Sequence, residues 1–327
     1  MNNLPTQRNI VPGANMLPTS ERALRALRHV RRRLANDWQI YIFLLPAMVF
    51  FYVFNYLPLY GIQIAFRNFK AVRGITGSDW VGLKNFRDFF NAYYFGRLFS
   101  NTFLLNLFGL FWGFPIPIFM AIMLNQLDMR RLKKFTQTAI YVPHFISTVV
   151  MAGMLYLFFS PTNGIVNHII TRMGGKSIYF MVEPSWFRRL FIGSDIWQHA
   201  GWNTILYIAT LASINPEIYE AATIDGATKW QKILYVDLPH LIPIATMMLI
   251  LNCGSLLGSN TDKALLMSTS GNVSVSDIIG VYVYRMGLEK AQFSYTAAIG
   301  LSVNVINFVM ILTVNAVSRK LSDTSLF

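Results

Sequence analysis

Six stretches of this chain are long apolar runs, at about 39–66, 98–125, 139–159, 195–214, 241–261 and 295–317. Each matches the roughly 20 mostly apolar residues that a helix needs to cross a bilayer. The fourth is the most polar, because Asp195, Gln198, His199 and Asn203 occupy its first half. Pro46 and Pro58 in the first run predict bends, as do Gly113, Pro115 and Pro117 in the second. Lipid tolerates such bends where neighbouring groups satisfy the freed backbone. The pattern predicts an all-α polytopic membrane protein of about six transmembrane helices. Residues 1–37 form a basic tail, 38–318 the transmembrane domain and 319–327 a short C-terminal tail.

The polar connections set the expected orientation. Arg22, Arg25, Arg28, Arg31, Arg32 and Arg33 precede the first run. Arg130, Arg131, Lys133 and Lys134 follow the second, and Arg319 and Lys320 follow the last. With six spans all three clusters share one side, and the excess of Lys and Arg beside spans marks that side as cytoplasmic. Both termini and the polar stretch 215–240 then face the cytoplasm. Within the N-terminal tail, Ser20 caps a candidate helix over 20–36 with Leu24, Leu27, Val30 and Leu34 on one side. A helix lying on the membrane surface and a plain topology-setting tail both fit. In the outer loop 67–97, Phe86, Phe89, Phe90, Tyr93 and Tyr94 are spaced for one helix face, which predicts an interfacial helix, with an aromatic sugar platform as the alternative. A second outer segment, 160–194, opens on Ser-Pro-Thr-Asn-Gly and breaks at Gly174-Gly175.

Composition agrees with a bilayer as solvent. Hydrophobic residues make up 54% of the 327 positions and charged residues 13%, about half the charged share of soluble domains. The single cysteine, Cys253, excludes an internal disulfide and a Cys-based metal site. No cleavable signal peptide is expected, because the first apolar run is too long for one. The formal net charge of +13 is spread over membrane-flanking segments, which is not the interleaved basic and aromatic groove of a nucleic-acid binder. His29, His144, His168, His199 and His240 are read as scattered, with no ligand spacing among them. Gly175-Lys176-Ser177 resembles the end of a phosphate-binding loop, but position 170 is Ile where that loop needs Gly. The chain is therefore expected to bind no cofactor, metal or nucleotide and to catalyse no covalent chemistry.

Residues 216–239 read PEIYEAATIDGATKWQKILYVDLP. Asn215 can cap a helix that begins at Pro216, and Gly226 can end it. A second short helix over about 228–236 is expected to run up to Pro239. Ala221, Ala222 and Ala227 permit close approach by another surface, while Glu220 and Asp225 supply charge. The residues alone leave a force-receiving knob and an ordinary interspan loop both open.

A resemblance separates the two. Glu220-Ala221-Ala222, Gly226 six residues after the Glu, and Leu238-Pro239 resemble the EAA loop of permease subunits from binding-protein-dependent ABC importers. Val236 stands where that pattern usually has Ile. The run EAATIDGATKWQ is similar to the sugar-importing branch. YGIQIAFRNF (60–69), SDWVGLKNF (78–86), YVYRMGL (282–288) and FSYTAAIGL (293–301) resemble the oligosaccharide and polysaccharide permeases of the maltose-type superfamily, with Asp79 in place of a common Pro. The resemblance implies a type I ABC importer permease in the bacterial cytoplasmic (inner) membrane. It also implies that Glu220, Ala221, Ala222, Asp225, Gly226, Ala227, Leu238 and Pro239 seat in a cleft of a cytoplasmic ATPase dimer, which holds the ATP and Mg. A second homologous permease and an extracytoplasmic solute-binding protein are the further partners it implies.

Polar residues inside the apolar runs are sparse. Trp202, Asn203, Asn252, Ser255, Asn304 and Asn307 are the candidates for a carbohydrate path, since amides and aromatic faces suit sugar hydroxyls and rings. Hydrogen bonding between helices is the alternative role for each. Basic residues outnumber acids in the outer loops, which fits an anionic cargo, an acidic binding-protein surface, or no function at all, since long loops escape the charge rule. An acidic polysaccharide such as alginate is one concrete case. An ion-coupled secondary sugar transporter would need intramembrane ionisable groups, and a glycan-processing enzyme would need clustered acids. The apolar runs hold few of the former, and none of the latter is visible along the sequence.

Overall fold

The structure, a computed structural model, describes residues 37–258 and 260–321. The candidate helix over 20–36 and the end of the C-terminal tail lie outside the described residues. The described chain divides into two units, one ending at Ile62 and one beginning at Gln63.

The first unit carries α1 (Trp38–Phe51), which widens into a π turn at Tyr52–Tyr56 and tightens into the start of a 3-10 stretch, Leu57–Phe66, whose last residues belong to the second unit. Proline explains the sequence of turns. Pro58 lacks an N–H, and its ring collides with the carbonyl four residues back, that of Phe54. The π turn opens the helix at that carbonyl, so the rod continues through the proline.

In the second unit, β1 (Arg67–Lys70) and β2 (Gly74–Trp80) form an antiparallel hairpin that the all-α expectation lacked. Next come α2 (Lys84–Phe90), α3 (Phe95–Gly113) and α4 (Pro115–Asn125), then α5 (Arg130–Tyr141) and α6 (Thr148–Phe158). After α7 (Ile165–Arg172), the 29-residue α8 (Pro184–Ala212) runs through the middle of the unit. It leads to α9 (Pro216–Ile224), α10 (Lys229–Lys232) and α11 (Leu238–Cys253). Three short helices follow, α12 (Thr261–Met267), α13 (Val273–Ser276) and α14 (Ile279–Tyr284), before the long α15 (Phe293–Leu321).

Among the described residues, four helical stretches are long and apolar enough to cross a membrane: Trp38–Phe66, Phe95–Asn125, Lys229–Cys253 and Phe293–Lys320. The expected run 139–159 is not one straight helix. Its two pieces, Arg130–Phe145 and Thr148–Phe158, meet at 98°, because Pro143 ends one and the Ser147 side chain caps the other by accepting from the Val150 N–H. The expected run 195–214 lies in α8, which is long enough to span but carries polar residues through its centre. The expected run 241–261 stops early: α11 ends at Cys253, and the chain turns at Gly254 before α12.

The aromatic run 86–94 does not form one interfacial face. α2 is only seven residues long. Phe89 is buried against Leu98, Ile279 and Ile299. Phe86 packs on Phe66, which stacks on Trp80, while Tyr93 and Tyr94 lie past the helix end.

α8 organises the unit by burying a face at 187, 190, 191, 194, 198, 201, 204, 207 and 211, the spacing of a 3.6-residue repeat. At one end Phe187, Leu190 and Phe191 join Leu105, Leu155, Met267 and Ile278 in an apolar core. At the other end Tyr207 and Leu211 join Ala121, Ile122, Ile233, Val236 and Leu241 in a second core. α3 is sewn to the α13–α14 segment by polar bonds. Arg97 pairs with the buried Asp277 at 2.8 Å, the Asn101 amide donates to the Ser274 and Asp277 carbonyls, and the Thr102 hydroxyl accepts from the Ile279 N–H.

α5 approaches α8 closely at Gly201, where an added Cβ would lie 2.0 Å from the Ile140 carbonyl oxygen. Backbone on both sides leaves no soft atom to give way. Gly201→Ala is therefore expected to destabilise the protein by about 1–3 kcal/mol, read as a lower unfolding midpoint in detergent. Gly193→Ala on the same helix meets nothing within 4 Å and is expected to be neutral or to stabilise by up to about 1 kcal/mol through helix propensity.

Candidate functional site

Two features converge on α8: a cavity along its middle and a polar knob after its end. The cavity has a volume of about 690 Å³. It lies along α8 between Phe191 and Ala209, with α3 and α4 on one side and α11 with the following turn on the other. The two apolar cores stop on either side of it, which leaves the polar centre of α8 facing open space.

Four of the six expected path residues line this cavity: Trp202, Asn203, Asn252 and Ser255. Two do not. The Asn307 side chain accepts from the Leu257 N–H at 3.1 Å, satisfying the backbone where α11 has broken. Asn304 is exposed on α15, away from the lining. The interhelical alternative thus describes Asn307.

The structure corrects the reading of the histidines as scattered. His199 stands one turn from Asp195, with Nδ1 3.5 Å from the carboxylate. Lys263, with no exposed surface, donates to that same carboxylate at 3.2 Å and to the Phe191 carbonyl at 3.0 Å. His144, at the bend between α5 and α6, stacks on Trp202 with centroids 4.3 Å apart and planes 7° from parallel. The Asp195–His199 interval of four was a legible signal. Lys263 gave none, because its partner lies 68 residues away.

The knob is built by local rules. The Asn215 side chain accepts from the Glu217 N–H, and Pro216 takes the first helical position. Gly226 adopts φ +77° with nothing crowding its missing Cβ, so backbone conformation is what calls for glycine there. Its N–H donates to the Thr223 carbonyl, and the Ala227 N–H donates back to Ala222, the paired bonds of a Schellman C-cap. Thr228 and Gln231 then exchange capping-box bonds to start α10. Every turn of 215–231 is thus tied down locally.

The second helix does not stop at Pro239. It runs without a break from Lys229 to Cys253, because a π turn at Ile233–Asp237 opens the backbone where the Pro239 ring would strike the Tyr235 carbonyl. Leu238 and Pro239 are thus inside a long helix and do not close a loop. Glu220, Ala221, Asp225 and Gly226 are exposed, Ala222 and Ala227 half-buried. Ile224, Trp230 and Tyr235 form an exposed apolar set beside them, each more than two thirds exposed.

Sequence reading missed the group that fixes the knob to the bundle. Asp237 has no exposed surface and accepts from the Tyr219 hydroxyl at 2.5 Å and the Gln126 amide at 2.9 Å. One carboxylate thereby joins α9, the end of α4 and the π turn. Burial, with the Asp237 carboxylate beside it, pushes the Tyr219 hydroxyl up from 10.0 to about 12.

A polytopic helical protein with a cavity lined by apolar side chains and a few polar groups, and a capped knob at the end of its central helix, has the architecture of a membrane permease. Residues 113–323 match the family model of the "binding-protein-dependent transport system inner membrane component". The chain belongs to that family of ABC importer permeases. It is 36% identical to the protein LplB of Bacillus subtilis (strain 168), over 90% of this chain and 92% of that one. It is 35% identical to the polygalacturonan/rhamnogalacturonan transport system permease protein YteP of the same organism, over 90% and 92%. Among solved structures it matches a chain of a bacterial ABC transporter involved in the import of the acidic polysaccharide alginate, with a TM-score of 0.82 and 35% identity over 90% of this chain and 99% of that one.

Tyr219→Phe removes one donor from a buried carboxylate. It is expected to cost about 1–3 kcal/mol, read by thermal unfolding in detergent. Because folding raises the Tyr219 value, its contribution is complete below pH 10 and is lost as pH climbs through about 12. The difference between wild type and Tyr219→Phe should therefore shrink over that interval.

Proposed function

We propose that this chain is one of two related permeases of an ATP-driven importer, and that its cargo is an oligosaccharide or polysaccharide containing uronates. The observation that carries this reading is the pairing of a sugar-suited cavity along α8 with an exposed, fully capped knob just past its end. Trp202, Asn203, Asn252 and Ser255 offer a ring face and polar groups to the cavity, the mix that suits carbohydrate. The acidic class draws support from two proteins similar to this chain, whose names specify polygalacturonan/rhamnogalacturonan and alginate. A second structure of the alginate transporter is in complex with an alginate pentasaccharide-bound periplasmic protein. A solute-binding protein outside the cytoplasmic membrane fills the same place here.

The motor sits elsewhere. ATP and Mg belong to a dimer of ABC ATPase subunits in the cytoplasm, which grips Glu220, Ala221, Ala222, Asp225, Gly226 and Ala227. The exposed Ile224, Trp230 and Tyr235 widen that grip. Leu238 and Pro239 act differently: as part of a continuous rod they carry displacement toward Asn252 at the cavity. A conformational change requires contacts that differ between two states, and closure of the ATPase dimer around the knob supplies them. The N- and C-termini lie on the same cytoplasmic side.

A second reading, an ion-coupled secondary sugar transporter, draws on the Asp195–His199–Lys263 cluster in the cavity wall. Uptake that survives removal of the ATPase partner would favour it. Gly226→Asp tests the coupling directly. It places a side chain at φ +77°, a strain of about 1–3 kcal/mol, and a charge on the docking face. Uptake in cells is expected to fall roughly tenfold or more while the protein still inserts in the membrane. Normal uptake by this variant would count against the knob as the motor contact.

A further inference from the structure

We propose that Asp195, His199 and Trp202 form a uronate subsite in the cavity, where a sugar carboxylate is neutralised by a proton taken up on His199. The proposal rests on the acidic-cargo reading above and assigns its recognition to particular atoms.

Lys263 is fully buried, and its ammonium donates to Asp195 Oδ1, so the pair brings no net charge to the cavity. Among the described lining residues there is no Lys or Arg, and His199 is the basic side chain on the wall. A carboxylate brought against a largely apolar wall without a counter-charge is costly. On this chain's wall, His199 is the group placed to take up the proton that restores neutrality.

Geometry identifies the receiving atom. His199 Nδ1 lies 3.0 Å from the Asp195 carbonyl oxygen and 3.5 Å from Asp195 Oδ1. Both are acceptors, so Nδ1 carries the hydrogen. Nε2 is left for a ligand. As a neutral ring it accepts from a sugar hydroxyl; protonated, it donates to a carboxylate with a full positive charge. The groups that face His199 are Asp195 on its own helix, Lys263 of α12 through Asp195, and His144, whose ring centroid is 5.5 Å away. The step is a simple addition: the uronate enters ionised, one proton passes from a buffer acid in the bulk solvent to Nε2 and leaves the conjugate base there, and no covalent bond between heavy atoms changes.

The sugar ring has its own platform. His144 covers one face of Trp202, and Phe145 meets it edge-on at 5.7 Å. These contacts hold the indole against rotation. Trp202 remains 41% exposed and lines the cavity, offering apolar ring surface to the C–H face of a pyranose. His199 and Trp202 are three residues apart, and Asp195 and His199 four, so all three share a helix face.

The test uses the complete importer in liposomes, with its second permease, ATPases and binding protein. Uptake of galacturonate and mannuronate trisaccharides is followed from about pH 6 to about pH 9, the range over which a histidine changes charge. Wild-type uptake should fall about tenfold across that range, the scale of one charged hydrogen bond. His199→Gln should be low at every pH. His199→Arg, with a fixed charge, should keep uptake and lose the pH dependence. Co-purification of the ATPase subunits checks assembly of each variant. Arg failing as badly as Gln in an intact assembly would assign His199 a packing role and overturn the subsite. A flat wild-type profile, or uptake untouched by His199→Gln, would overturn it too. If the wild-type importer carries neither trisaccharide, the acidic-cargo reading fails and takes the subsite with it.

Discussion

A polar group withdrawn from water must find a partner, and in an apolar bundle the partner has to be built into the chain. That constraint shapes most of this molecule. Asp237 is shut inside and is met by a tyrosine hydroxyl and a glutamine amide. Lys263 is shut inside and is met by a carboxylate and a carbonyl. Where α11 breaks, Asn307 reaches across to the freed Leu257 N–H. Where α3 passes the short helices α13 and α14, Arg97, Asn101 and Thr102 take up their polar ends. Each bond joins segments far apart in sequence, so satisfying polarity and fixing tertiary structure are one act.

The same constraint explains how prolines become tolerable. Pro58 and Pro239 each follow a π turn that contains the carbonyl four residues before the ring. Widening the backbone at that carbonyl relieves the clash. A proline that looks like a stop signal in sequence is then only a local change of pitch. In the second case the consequence is mechanical, since α10 and α11 form one continuous rod from the knob to the cavity wall.

Features set by local rules were legible in the sequence; those set by distant partners were not. The apolar runs announce bilayer-length helices because that signal is a sum over some twenty residues. Asn215 and Gly226 were legible because a cap and a left-handed residue act within one turn. Trp202, Asn203, Asn252 and Ser255 were legible as polar residues in apolar surroundings, yet Asn304 and Asn307 carry the same signal and lie elsewhere. Composition cannot say which way a helix faces. Lys263 and Asp237 were invisible because their meaning lies in partners 68 and 111 residues away. The hairpin at 67–80 was also missed, as was the 98° bend at Pro143, although its signals, Pro143 and the Ser147 cap, are local.

These pieces define a load path. α9 is anchored at three points: to α8 through the short turn that ends at Asn215, to α4 through the Gln126–Asp237–Tyr219 bonds, and to α10 through the capped turn at Gly226. α4, α8 and the α10–α11 rod are also the elements that wall the cavity. A displacement of α9 therefore reaches three walls through hydrogen-bonded or covalent joints, with no flexible linker between. Close-packed interiors transmit strain instead of absorbing it, so a small movement of the knob has to reappear as a change in the shape of the cavity. The buried Asp237 is the joint on which that transmission turns, since one carboxylate ties α9 and the end of α4 to the α10–α11 rod.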